Sequence, residues 1–493
     1  VCHVVAVTAA KMNGMKASLD GFTIKNGSSQ FGSVGSTTIG GVKFYQSYGA
    51  GIFIGNATVD ILNCKIVENT DIRMGAIRVD AGAEALFDNC VVADNATKST
   101  TTYNCGGLWA DGAKLLRINN CTFNNNKTSG VGICMYIFGD TGGKTNVLIS
   151  NTTISGNSVN PEHATLNGGG IYVNSGTLNL SGGYVTNNYK ACDCNDCRND
   201  VNNTHGGGGI ALANSSVMNM TGNYSGLAGG GIYAGFFGHN VGFTMSGGTI
   251  AGNCAELGEG GGLRIAGGTN GVIQATNKVY ITNNITNSNN DWGGGGIFVQ
   301  EKGNLSIMNA LITGNTAGGF GGGVGACPTG ETLIVNKDGA AIYGNEASGT
   351  NMSGGGNNKT YDSTLAQTSE IFTRNGYADY FCVRARVGAN NPISLVTGLM
   401  AGGGAANWTG SCDEQPVSIG PSGYAAAKYL FGLDAHPDGA AKSQAVNAAK
   451  VIITGNHSNI HGGGIMTNGG LILGDPGGKV VTATPELDIT GTK

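Results

Sequence analysis

The stretch Gly168–Asn188, GGGIYVNSGTLNLSGGYVTNN, decides the fold. A glycine cluster leads into a short apolar run, Ile171, Tyr172 and Val173. A polar turn follows, then an alternating strand carrying Leu178 and Leu180, then a third short strand that closes on Asn188. The phrase returns as GGGIYAGFFGHNVGFTMSGGTIAGN from Gly229, as GGGIFVQEKGNLSIMNALITGN from Gly294 and as GGGIMTNGGLILG from Gly462. Each copy holds two or three strands of about four residues, too short and too one-sided to fold alone. Such recurrence predicts a stack in which each strand pairs in parallel with its counterpart one repeat on. The expected fold is therefore all-β, a parallel β-helix or solenoid whose small apolar side chains fill one continuous interior.

A column of asparagines supports the stack. Asn69, Asn95, Asn126, Asn157, Asn188, Asn253, Asn284, Asn315 and Asn345 each close a strand, many of them about 30 residues apart. In register, their side chains are expected to bond to the backbone and to each other, satisfying turn groups that would otherwise be orphaned. Cys64, Cys90 and Cys121 each stand five residues before one of these asparagines. They read as a column of small buried thiols, one strand spacing apart and within disulfide reach.

Composition narrows the function. The chain has 493 residues, of which 89 are glycine and only 12% are charged, so it is neither disordered nor, with its glycines clustered, collagen-like. A net charge of −4 with no basic stripe argues against nucleic acid as a partner. No run of 18 apolar residues is present, so no membrane-inserted helix is expected. Val1 sits inside a strand-like run, VCHVVAV, which reads as a trimmed piece of something longer.

The repeat rhythm sets the domain boundaries. Residues 1–345 read as coils, adding up to a rod on the order of 55 Å. Residues 346–449 lose the phrase and read as an inserted α+β module with two short helices, Ser363–Asn375 and His436–Lys450. Residues 450–483 read as the final coils, stacked on where the rhythm left off. Residues 484–493, ending TATPELDITGTK, read as the start of a following domain or a linker. The module is the most aromatic part of the chain. Tyr377, Tyr380, Phe381, Trp408 and Tyr424 are the candidate ligand-binding rings, and the core of the module is their competing role.

Chemistry-bearing clusters are few. Arg78 and Asp80 in one repeat meet Asp111 near the equivalent turn of the next, too small a group for the stacked carboxylates of a glycosidase or lyase. Asp196, Asp200, Glu256 and Glu259 read as solvated turn residues. In CDCNDC, Cys192, Cys194 and Cys197 are disulfide candidates, with a metal site completed by His205 as the alternative. Cys382 and Cys412 are placed to staple the module. His457 and His461, four apart on strand and turn, read as solvated histidines and not as a ligand pair. No metal, cofactor or catalytic residue is expected, and the chain is read as non-enzymatic.

The GGGIYV, LNLSGG and VTNN elements resemble glycine-rich right-handed parallel β-helix proteins of bacterial surfaces. The FNNN at Phe123–Asn126 is similar to the repeats of polymorphic outer-membrane proteins. GGGIMTNGGLILG followed by ELDITGTK, with AANWTG at Ala405–Gly410 and YFC at Tyr380–Cys382, resembles very large Gram-positive surface adhesins. In those a β-helix head precedes pilin-like domains with internal Lys–Asn isopeptide bonds. The resemblance implies an extracellular, cell-surface or secreted adhesin or stalk whose module binds a glycan or protein on a host or another cell. It also implies that Lys493 is the first strand lysine, and possible isopeptide donor, of a pilin-like domain. Two alternatives stand beside it: a subunit that assembles with copies of itself into a filament or sheath, and a carbohydrate-active β-helix enzyme.

Overall fold

A computed structural model describes residues 3–474 except 9–14, 30–35, 40–41, 46–47, 99–103, 129–133, 140–143, 160–168, 191–206, 213–216, 222–223, 226–228, 236–240, 289–292, 327–330, 335–338, 349–377, 383–393, 413–414, 422–423 and 428–430. The fold is all-β and is built mainly from parallel sheets. The chain divides into two compact units, Val1–Ala234 and Gly235–Lys493.

In the first unit each sequence repeat contributes one strand to each column. The first sheet stacks Val5–Thr8, Ile52–Gly55, Ile77–Val79, Leu108–Asp111, Met135–Phe138, Ile171–Asn174, Ile210–Leu212 and Ile232–Ala234, all parallel and without a register slip. The second stacks Thr58–Leu62, Glu84–Asp88, Leu115–Asn119 and then the long strands Thr145–Ser155 and Gly176–Thr186. The third holds two-residue strands such as Ala96–Thr97 and Lys127–Thr128.

The two main sheets bury differently. Thr58–Leu62 and Leu115–Asn119 alternate, with Val59, Ile61, Leu116 and Ile118 inside, as a half-buried strand must. Strands of the first sheet are buried on both faces, as in Ile77–Val79. The glycine cluster explains the difference. In the second unit Gly294 has φ +78°, and a Cβ there would lie 2.9 Å from the Cβ of Phe298. At Gly462, φ +63°, the same atom would lie 2.4 Å from the Cβ of Met466. The turn thus folds back over its own strand, and only glycine permits that approach.

The second unit repeats these three columns and adds a fourth parallel sheet, from Val241–Met245 through Thr269–Ile273 to Asn304–Ile307. Its last sequence repeat does not stack where the sequence rhythm leads. Val451–Thr454 lies between Val279–Thr282 and Ala310–Thr313, pairing with both in register. His457–Ser458 lies between Ile285–Thr286 and Thr316–Ala317. Ile465–Thr467 separates Ile297–Val299 from Val324–Ala326, and Gly470–Leu473 separates Asn304–Ile307 from Glu331–Ile334. Residues 451–473 are therefore a whole repeat inserted between two that are consecutive in sequence.

Residues 346–449 also depart from expectation. Glu346–Ala347, Tyr380–Cys382 and Ser394–Thr397 continue the third, first and fourth sheets in parallel register. Beyond them the pairing turns antiparallel: Phe431–Pro437, Ala406–Cys412 and Gln415–Ile419 extend the first sheet, and Tyr424–Ala427 the fourth. The segment finishes the sheets and is not a body set apart from them. Its described helix is Gly439–Ala448, because His436 and Pro437 still belong to a strand and Asp438 caps the helix by accepting from the Ala441 amide at 2.8 Å. The expected helix Ser363–Asn375 lies outside the described residues.

Candidate functional site

The asparagine column is the most extended polar feature. Asn69, Asn95, Asn126, Asn157 and Asn188 are all buried. Each Nδ2 donates to the Oδ1 of the next, at 3.0, 3.0, 3.0 and 2.9 Å. The same Oδ1 accepts the backbone N–H of the preceding asparagine, and Nδ2 also donates to strand carbonyls such as Ile66 and Val92. The residue just before is held at positive φ, as at Glu68, Asp94, Asn125 and Asn187, which makes the corner that turns the amide inward.

In the second unit the order is Asn253, Asn284, Asn456, Asn315, Asn345, with Nδ2 to Oδ1 distances of 2.8, 2.9, 2.8 and 2.9 Å. Sequence reading missed Asn456, although ITGN occurs at both Ile312–Asn315 and Ile453–Asn456. It also missed Asp379, whose Oδ1 accepts from the Asn345 N–H and Nδ2 at 3.1 and 2.9 Å while Oδ2 accepts from the Ala435 N–H at 2.9 Å. A chain of amides that all donate one way ends well on an acceptor-only carboxylate.

Arg78, Asp80 and Asp111 do come together. Arg78 is buried, its Nε donates to Asp80, and its Nη2 donates to Asp111 Oδ2 at 2.8 Å. Its guanidinium also lies 5.6 and 5.4 Å from the ring centroids of Tyr48 and Trp109. Burial raises the Asp80 carboxyl above its ordinary range although Arg78 pulls it down. The register Arg78↔Trp109↔Tyr136↔Tyr172 continues as a ring column, with Trp109 edge-on to Tyr136 at 4.3 Å and Tyr136 stacked on Tyr172 at 5.1 Å. The middle position of each first-sheet strand is the signal that would have found this column.

The candidate binding rings are placed otherwise. Tyr380, Phe381 and Trp408 are at most 1% exposed, packed into the end of the first sheet, so they are core and not a ligand face. Tyr424 lies in a strand of the fourth sheet, and Tyr377 lies outside the described residues. Cys382 is buried. It pairs with Phe431, which on its other side pairs with Cys412. Two strand spacings, about 10 Å, separate the two cysteines, beyond disulfide reach. Cys64, Cys90 and Cys121 are buried free thiols. Cys192, Cys194, Cys197 and Lys493 lie outside the described residues, as do Asp196, Asp200 and His205.

Two residues expected in solvent are buried. Glu259 pairs with Arg264 at 2.9 Å, with side chains only 4% and 0% exposed. His461 is 2% exposed and stacks on Phe320 with ring centroids 3.6 Å apart, because the glycine turn that follows it folds onto the first sheet.

Asp71 gives the first unit a pH signature. It is buried and accepts the amides of Ala50, Arg73 and Met74 at 2.9, 2.8 and 3.2 Å. Burial nevertheless pushes its carboxyl up to about 6. The folded state therefore holds this proton more tightly than the unfolded chain. Stability of the first unit is expected to fall by about 3 kcal/mol as pH rises from well below 3.8 to above 6 through this residue. Denaturant melts of Asp71→Asn should lack that component of the slope, and an unchanged slope would show that Asp71 is not its source.

No protein family, curated protein or solved structure matches the chain.

Proposed function

We propose that the repeats of each unit are coils of a right-handed parallel β-helix, and that the protein is an extracellular, cell-surface or secreted scaffold that binds without catalysis. The observation that carries this reading is the use of side chains. The asparagines bond along the stack, and Arg78 is held by two carboxylates and two rings. These groups stiffen a stack. With Tyr380, Phe381 and Trp408 in the core, contact with a host or cell-surface glycan or protein falls to the segments between strands. Labelled full-length protein applied to glycan arrays and intact cells is expected to bind saturably without shortening the glycan. Release of shortened chains, lost in Asp80→Asn and Asp111→Asn, would replace this reading with the carbohydrate-active enzyme, for which the Arg78 cluster is the specific observation.

A further inference from the structure

The inserted repeat poses a question of spacing. Asn284 and Asn315 are 31 residues apart in sequence, the separation found between the directly bonded pairs Asn126–Asn157 and Asn253–Asn284. Yet Asn456 stands between them. The strands on either side are matched in the same way. Val451 pairs with both Val279 and Ala310, Ile453 with both Ile281 and Ile312, and Ile465 with both Ile297 and Val324. If residues 451–473 leave, their neighbours meet in register, with Asn284 beside Asn315.

The backbone at the insertion point allows this. The chain steps over the inserted repeat between Ile307 and Ala310, one extra strand spacing of about 5 Å. The insert enters and leaves beside that step. The amides of Lys450 and Val451 donate to the Asn309 carbonyl at 2.9 and 3.1 Å, and the Gly474 amide donates to the Ile307 carbonyl at 2.9 Å. Upstream it is joined to the end of the first sheet by the helix Gly439–Ala448, which buries only Ala441 and Ala445. Removing the repeat breaks two inter-repeat interfaces, but closing the gap remakes one, so release costs about half of what the contacts suggest.

A released 451–474 segment carries four strands with both edges unpaired and with Val451, Ile453, Asn456, Ile465 and Leu471 uncovered. Such edges seek strands. The surface cut to their register is the gap between 279–307 and 310–334. We propose that this gap is a strand-acceptor site and that a second copy of the chain fills it with its own residues 451–474, by exchange of identical elements. The proposal rests on the strand pairing and not on the cell-surface reading.

Thr282 and Thr454 are paired and half-exposed. Isotope-labelled full-length Thr282→Cys and unlabelled full-length Thr454→Cys are mixed, unfolded, refolded together over a concentration series and oxidised. Peptide mass spectrometry then reads the link between positions 282 and 454. The expected result is a link joining labelled to unlabelled chains, in dimers whose share rises with concentration. No such link at any concentration, while the double variant Thr282→Cys/Thr454→Cys links within single chains, would overturn the exchange. Failure of the double variant to link at all, within or between chains, would overturn the acceptor site as well.

Discussion

Asn126→Ala is expected to destabilise the first unit by about 2–6 kcal/mol. The substitution leaves two buried groups without their partner, the Asn95 N–H and one Asn95 Nδ2 proton, and removes the second donor of the Val92 carbonyl. Each orphaned group costs about 1–3 kcal/mol, and the smaller side chain adds little repair. Asn126→Asp should do no better. Its carboxylate accepts from Asn95 but faces the Asn157 Oδ1 and the Val92 carbonyl with no proton to offer. Asn120→Ala is the control. Asn120 is exposed at φ 51°, its Nδ2 donates to Asp88 Oδ1 at 3.0 Å, and its loss should cost about 1 kcal/mol. Hydrogen exchange of Val91–Ala93 and Thr122–Asn124 reads both effects, and a loss below 1 kcal/mol for Asn126→Ala would mean that the column follows the fold without sustaining it.

The second large effect is on pH. His461 is buried against Phe320, its Nδ1 accepts from the Phe320 N–H at 3.3 Å, and burial holds the ring down at about 3. The folded state keeps it neutral where the unfolded chain takes a proton. Stability from this group is complete above the unfolded value of 6.5 and is lost as pH falls toward 3. The loss reaches about 5 kcal/mol at the acid end. This runs opposite to Asp71: acid should act against the second unit through His461 and in favour of the first through Asp71. His461→Gln should flatten the acid limb of the second unit's unfolding curve at some cost near neutrality. An acid limb that is unchanged in this variant would place the effect elsewhere.

Much of this arrangement is legible in the sequence because it is periodic. The glycine cluster, the alternating strand and the closing asparagine recur at a spacing that only parallel pairing uses well, and the nine named asparagines all lie in the two buried columns. The inserted repeat is not legible, because the 31-residue separation of Asn284 and Asn315 reads as direct contact and nothing local marks the step at Met308–Asn309. Asp379 is hidden for a related reason: its segment has lost the glycine phrase, and a carboxylate is chemically the end of the column and not a member. The density of rings around Tyr380 and Trp408 suggested a surface, but their strands extend the first sheet, whose two faces are both covered. His461 and Glu259 stand beside glycine turns that look solvated in sequence and are folded onto the sheet in space.

The most direct test of the stacking order is the distance between Thr282 and Thr313. Nitroxides carried on unnatural amino acids at these two positions leave the 13 native cysteines unlabelled. Continuous-wave paramagnetic resonance then reports the backbone separation across the inserted repeat. With Val451–Thr454 between them, the two sites lie two strand spacings apart, about 10 Å, and the spectrum should show only moderate dipolar broadening. Strong broadening from sites one spacing apart, about 5 Å, in the concentrated and the dilute protein alike, would contradict the order Asn284, Asn456, Asn315.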